Sequence, residues 1–211
     1  MDGLLFDTEP LYIRSLMTAA AEHGYEMTED LYRPMLGCPW HVIHTLLLDL
    51  YGPGFPVEDV RACWLRHFGH LVETDLTVKP GVVELLDLID ALGLPYAIAT
   101  SSFRHSVDHH LTLHGLAERF EHIVAHGDYA RSKPAPDPYL IAAGKLGVEP
   151  ADCLALEDSH NGVRSAAAAG MMAVMVPDLL EPTDEIRALC AAIVPNLLAV
   201  RDILASKPSA I

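Results

Sequence analysis

Three short stretches of this sequence carry side chains suited to a phosphate group and a divalent cation. Thr100-Ser101-Ser102 offers hydroxyls where the apolar run from Tyr96 to Thr100 gives way to a helix. Lys133 opens Lys-Pro-Ala-Pro-Asp, and Glu157-Asp158-Ser159 closes the apolar run that starts at Cys153, with Asn161-Gly162 just beyond. Hydroxyls and amides at a helix start bind phosphate oxygens, and a lysine adds a point charge. Carboxylates are the hard oxygen donors that hold Mg2+ beside a phosphate. Taken singly, each stretch has a plainer reading: Thr100 or Ser102 as a helix cap, Lys133 as a solvated loop lysine, Glu157-Asp158 as a polar strand end. The weight lies in their common place after apolar runs, because ligands of open parallel sheets sit outside the carboxyl ends of the strands.

The elements that must position these residues follow from periodicity and punctuation. Residues 11 to 76 read as all helix: 11–23, stopped by Gly24, then 28–36 capped by Thr28, 41–51, and 57–73 after the break at Gly52-Pro53-Gly54. The first of these turns Leu11, Ser15, Thr18 and Glu22 to one side, and Tyr12, Leu16, Ala19 and Ala20 to the other. Beyond the turn Lys79-Pro80-Gly81 comes a helix over 82–92, and the pattern changes. Short apolar runs at 96–100, 123–125, 153–157, 171–176 and, weakly, 193–194 alternate with helices over 103–114, 137–146, 160–169 and 196–204. Such alternation specifies an α/β domain with a parallel sheet covered on both faces. The runs are continuously apolar, as doubly buried parallel strands are.

Four segments taken together resemble the haloacid dehalogenase superfamily. They are Asp2-Gly-Leu-Leu-Phe-Asp-Thr-Glu-Pro-Leu-Tyr12, Ala99-Thr-Ser-Ser102, Lys133-Pro-Ala-Pro-Asp137 and Leu156-Glu-Asp-Ser-His-Asn-Gly-Val163. Their order and spacing match that superfamily's four motifs over essentially the whole chain. The resemblance implies a Rossmann-like parallel-sheet core, residues 1–10 and 77–211, with an inserted α-helical cap over 11–76. It implies a general acid/base at Asp2, whose carbonyl also binds Mg2+, and a phosphate-binding hydroxyl at Thr100, with Ser101 and Ser102 beside it. Lys133 would steady nucleophile and phosphate, and Asp158 would ligate Mg2+ with Glu157 as a near partner. The implied reaction is attack by an aspartate on phosphorus and hydrolysis of the aspartyl-phosphate, a difficult displacement split into two easier steps.

One departure from the pattern bears on activity. The nucleophile belongs two residues before Asp2, so its position precedes residue 1, and Met1 fills the middle of the Asp-x-Asp motif. The buried strand that leads into it is missing as well. Its place in the superfamily lies between the strands at 96–100 and 153–157, which are therefore expected to flank a slot open to a foreign extended segment. A start assigned too far downstream is the expected explanation, with a genuine short form that is catalytically dead as the alternative; in either case the chain as written is expected to be inactive. Asp7 matches the acid at the entry to the cap and is no substitute.

Other positions narrow the reaction. Asp2 favours phosphoryl chemistry over carbon–halogen cleavage, which needs no second acid. Related sugar-phosphate mutases carry a histidine and an arginine where Tyr12 and Trp40 stand, so a phosphatase is favoured over a mutase. Phosphonate hydrolysis needs a cap lysine, and residues 11–76 have none. A non-catalytic binder using Thr100, Lys133 and Asp158 to hold an anion is the reading from a different class. Tyr12, Arg14, Cys38, Trp40 and His41 are candidates to face the substrate, with ordinary packing as the alternative for each. The histidine pairs 105/109 and 110/114 have i, i+4 spacing, but no motif supplies a third ligand.

Composition bounds the rest. Among 211 residues, 14 are Lys or Arg and 29 are Asp or Glu, a net charge of −15, which disfavours nonspecific contact with nucleic acid or anionic membrane. No apolar run approaches the ~20 residues of a membrane helix, and no signal sequence opens the chain. Four scattered cysteines without a Cys-x-x-Cys read as reduced thiols of a cytoplasmic protein. The expected partner is a small phosphorylated metabolite, the expected cofactor Mg2+, and the expected state a monomer or weak dimer.

Overall fold

The computed structural model describes residues 1–38 and 40–206. The chain divides into two units, Asp7–Thr77 and Met1–Phe6 with Val78–Ile211. The division falls a few residues earlier at its first end than the boundary read from the sequence.

The continuous unit is built of helices: α1 (Glu9–Glu22), α2 (Glu29–Tyr32) running into a 3-10 turn (Arg33–Met35), α3 (Trp40–Tyr51) and α4 (Val57–Asp75). Each start has a local cause. Pro10 sits in the first turn of α1, where a missing N–H costs nothing. The Thr28 hydroxyl accepts the Leu31 N–H at 3.3 Å and caps α2. Ala19 and Ala20 of α1 lie in the core with Val60, Cys63 and Trp64 of α4, the alanines leaving room for the tryptophan ring. The face of α1 differs from the expected division: Leu11 and Ser15 are buried along with Leu16, Ala19 and Ala20. Ser15 tolerates burial because its hydroxyl donates to the Tyr12 carbonyl at 2.9 Å. The Asp7 N–H donates to the Thr77 carbonyl at 3.0 Å and draws the two ends of this unit together.

The interrupted unit holds the strands: β1 (Ala97–Phe103), β2 (His122–His126), β3 (Leu154–Glu157), β4 (Met172–Met175) and β5 (Cys190–Ile193). Between and around them run α5 (Val82–Ala91), α6 (Arg104–Leu113), α7 (Asp137–Leu146), α8 (His160–Ala168), α9 (Asp184–Leu189) and α10 (Leu197–Ser206). The pairings of β1 with β2, β3 with β4 and β4 with β5 are parallel. Two features depart from the sequence reading. Thr100-Ser101-Ser102 does not open a helix; β1 continues through it to Phe103, which pairs with His126 after a shift of register, and α6 starts only at Arg104. The Phe103 ring also packs on His126, centroids 4.5 Å apart, which holds the extra residues extended. Helix α9, not anticipated, starts where the Thr183 hydroxyl accepts the Ile186 N–H at 3.4 Å.

The strands form two separate sheets, β1–β2 and β3–β4–β5. β1 and β3 do not pair with each other. A cleft of about 510 Å³ lies there, lined by Ala97 to Ala99 on one side, Leu154 to Glu157 on the other, and Met1 and Leu5. Met1–Phe6 folds as a tight turn, the Leu5 N–H donating to the Met1 carbonyl at 2.7 Å, and is tied to the start of the second chain segment by Lys79 N–H to Leu5 carbonyl at 2.9 Å.

Gly81 fixes where that second segment enters α5. Its φ of +90° is left-handed, and a Cβ there would stand 2.5 Å from the Leu198 backbone nitrogen. Gly81→Ala is therefore expected to lower the unfolding free energy by about 2 kcal/mol or more, conformational strain and backbone overlap adding. Gly93, with φ +63° and open space around it, serves as the control, and Gly93→Ala is expected to cost about 1 kcal/mol. Urea titration of both variants checks the contrast; equal losses would contradict it.

Candidate active site

The side chain that organises the carboxyl ends of β1 and β3 is Lys133, carried by the loop after β2. Its ammonium donates to the Ala99 carbonyl of β1 at 3.0 Å and to Glu157 Oε1, the last residue of β3, at 2.5 Å. Glu157 is only 4% exposed. Tyr139 of α7 donates its hydroxyl to the same Oε1 at 2.5 Å, and the Ser159 hydroxyl donates to Oε2 at 3.2 Å. Ser159 also caps α8 by accepting the Gly162 N–H at 3.1 Å. Burial pulls the Glu157 carboxyl up most strongly of any single cause; the Lys133 charge, the N-terminal ammonium and the hydrogen bonds from Lys133 and Tyr139 together outweigh it and hold the group below its ordinary range. Burial, then the Glu157 charge, pushes the Tyr139 phenol well above its usual value. Gly162 makes room for all this: a Cβ there would lie 1.9 Å from the Glu157 carboxylate.

A second group of carboxylates gathers around the N-terminal turn. Asp2 Oδ2 accepts the Ser102 hydroxyl at 2.5 Å, and its Oδ1 lies 3.9 Å from Nδ1 of the buried His110. Gly3 has φ +72°, and a Cβ on it would stand 2.3 Å from Asp158 Oδ2 and 3.2 Å from Asp178 Oδ2. Lys79 donates to Asp178 Oδ1 at 2.6 Å, while Asp178 Oδ2 is buried without a hydrogen-bond partner. Burial, and after it the Glu157 charge, pushes the Asp158 carboxyl up to about 7. Asp158 and Asp178 are hard oxygen donors beside a glycine cradle, one oxygen of Asp178 without a partner, and their chemistry fits a small divalent cation such as Mg2+.

The structure thus brings Asp2 together with Ser102, and Lys133 with Glu157, while Asp158 stands beside Gly3 and Asp178. Thr100 is 3% exposed, its hydroxyl accepting the Ser102 N–H at 3.1 Å and its carbonyl accepting the Tyr129 hydroxyl at 3.2 Å. Ser101 is exposed at the strand's end. The oxygens of Glu157 accept from Lys133, Tyr139 and Ser159. In the helical unit, Tyr12 stacks on Phe68 with centroids 3.9 Å apart, Trp40 lies under the Arg61 guanidinium at 4.2 Å, and His41 is exposed. Tyr12 and Trp40 thus make packing contacts there.

Sequence reasoning missed Asp178, Lys79, Tyr139 and the two glycine cradles. Asp178 follows the end of β4, where the same strand-end rule that singled out Glu157-Asp158 would have found it. Tyr139 and Gly162 carry no such signal, since their importance lies in fitting around Glu157.

The profile of the family described as haloacid dehalogenase-like hydrolase matches residues 1–176. Hexitol phosphatase B of Escherichia coli K12 is 34% identical over 185 residues, 84% of this chain and 81% of the relative. A phosphorylated carbohydrates phosphatase of Thermotoga maritima is 30% identical over 171 residues, 81% of this chain and 79% of the relative. Among solved structures, a HAD family hydrolase from Deinococcus radiodurans with bound phosphate and sodium superposes with a TM-score of 0.81 at 27% identity, covering 97% of this chain and 92% of that one. Among the described residues, no helix is long and apolar enough to cross a membrane.

The Lys133–Glu157 pair yields a stability test. Lys133→Met leaves a buried carboxylate without its counter-charge and is expected to cost about 3 kcal/mol at pH 7. The loss should shrink as the pH falls, because Glu157 then takes up a proton and no longer needs the ammonium. The double variant Lys133→Met with Glu157→Gln should recover part of the stability. Urea titrations at pH 7 and pH 5 check it, and a pH-independent loss would show that Glu157 is not the unpaired group.

Proposed function

Since the chain belongs to the haloacid dehalogenase-like hydrolase family, we propose that its site is that of a Mg2+-dependent phosphatase for a small phosphorylated metabolite. The observation that carries this reading is the Asp2-Gly3 pair: one residue seats a carboxylate on Ser102, and the next leaves room for Asp158 and Asp178 beside it. In this reading a hydroxyl and a lysine bind the anion, and a set of acids holds the cation. The relatives named for hexitol and phosphorylated carbohydrates support a sugar or polyol phosphate as the substrate class.

In this proposal Ser102 and Lys133 bind the phosphoryl oxygens, Lys133 meeting charge as it develops there. Glu157, Tyr139 and the Ala99 carbonyl hold the lysine in place. Asp2 moves the proton of the leaving group, its carboxylate fixed by Ser102 and lying near His110. Asp2, Asp158 and Asp178 would hold Mg2+, which when bound neutralises phosphoryl charge. The covalent step needs a carboxylate nucleophile. Among those gathered here, Asp2 is bonded to Ser102, Glu157 to Lys133 and Asp178 to Lys79, and Asp158 is assigned to the cation. The polypeptide of residues 1–211 alone is accordingly proposed to bind phosphate esters without turnover. The extended form used in the test carries an apolar strand ending in aspartate joined directly before Met1.

The test measures p-nitrophenyl phosphate and a panel of sugar phosphates against residues 1–211 and against the extended form. The expected outcome is Mg2+-dependent turnover in the extended form only. In that form Lys133→Ala should lower kcat by about 100-fold or more, and Asp158→Asn should raise the Mg2+ concentration needed for half-maximal rate. Equal turnover by both forms would place the nucleophile within residues 1–211. No turnover by either, with phosphate still bound, would establish an anion-binding protein instead.

A further inference from the structure

A second cluster of metal-ligating side chains stands in the helical unit, in residues that the proposed phosphatase chemistry does not use. Cys63 and His67 are one turn apart on α4 and so share a face. Glu22, the last residue of α1, meets both: the Cys63 thiol donates to Glu22 Oε2 at 3.0 Å, and His67 Nε2 lies 2.8 Å from Glu22 Oε1. One sulfur, one ring nitrogen and one carboxylate oxygen all fall within 4.8 Å of one another. We propose that Glu22, Cys63 and His67 form a site for a divalent cation of the Zn2+ class.

The donor set decides the class. Thiolate and imidazole suit a borderline-soft ion, whereas Mg2+ and Ca2+ take oxygen ligands. Bond lengths of about 2.3 Å to sulfur and about 2.0 Å to nitrogen and oxygen place tetrahedral ligand atoms roughly 3.3–3.6 Å apart. The present contacts at 3.0 and 2.8 Å therefore need to open by about half an ångström. Cys63 is 2% exposed and held by the packing of α1 on α4. His67 and Glu22 lie toward solvent, which leaves an entry path and a fourth position for water. On binding, the Cys63 S–H bond breaks, a sulfur–metal bond forms, and the proton leaves to solvent. His67 binds as the neutral ring and Glu22 as the carboxylate.

Arg66 is the built-in competitor. Its Nη2 lies 3.2 Å from the Cys63 sulfur and 3.6 Å from Glu22, so its charge occupies the position a cation would take. The side chain is 67% exposed and can swing into water. Removing it should tighten metal binding.

The experiment titrates residues 1–211 with Co2+ in saturating Mg2+, which fills any hard-oxygen site first. One ion per chain is expected to produce a thiolate-to-metal charge-transfer band that Zn2+ then displaces, with proton release on Zn2+ uptake. His67→Gln and Glu22→Gln, both at partly exposed positions, should each weaken Zn2+ binding at least about tenfold. Arg66→Ala should strengthen it, and Cys63→Ser should abolish the band. Absence of the band in the native chain, its persistence in Cys63→Ser, or unchanged Zn2+ affinity in His67→Gln and Glu22→Gln would overturn the site. The two glutamine variants keep the test decisive if Cys63→Ser does not fold.

Discussion

The arrangement of the strand ends rests on one buried ammonium. β1 and β3 share no backbone hydrogen bonds, yet Lys133 donates to a carbonyl of the first and to the terminal carboxylate of the second. A buried ion pair adds little stability over an apolar replacement, but once the carboxylate is buried its partner becomes compulsory. Glu157 is buried, so the loop after β2 must deliver a cation to it. Tyr139, Ser159 and Gly162 are then constrained in turn, two as donors to the same carboxylate and one by having no side chain to collide with it.

Around that tie the charges sort by kind. The N-terminal turn contributes Asp2 and the cradle at Gly3, and Lys79 holds one oxygen of Asp178 while the other stays without a partner. The chain is strongly acidic, so a phosphate can be welcomed only where cations are local, and Lys133 provides that charge. The helical unit keeps its own polar cluster of sulfur, imidazole and carboxylate. Hard oxygen donors and a soft sulfur-bearing set thus occupy different units of the chain.

Much of this was legible in the sequence because it follows from periodicity and strand-end position. The helix at 137–146 is observed at those residues, and β3 and α8 begin within a residue of their expected starts. Strand-end position drew notice to Lys133, Glu157 and Asp158, and the first two are in contact. Thr100 to Ser102 misled because hydroxyls read equally as helix caps or as the end of a strand, and only the pairing of Phe103 with His126 settles which. Tertiary partners were not legible. Nothing local says that Tyr139 will donate to Glu157, or that Glu22 will meet two residues some forty positions later. Those contacts depend on how α7 lies against β3 and how α1 packs on α4, and no pattern within one element encodes them.

The interruption of one unit by the other has a consequence for the order of events on the way to the native state. The helical unit is continuous in sequence, whereas Met1–Phe6 and Val78 must find each other across about seventy intervening residues. Closing a flexible loop of that length costs roughly 4 kcal/mol in chain entropy. A helical unit that forms first removes that cost, because the bond from Asp7 to Thr77 already holds its two ends side by side. Lys79 then needs only to reach Leu5. The insertion thereby acts as an internal staple, and damage to the packing of α1 on α4 would be felt first as slower assembly of the strand-bearing unit.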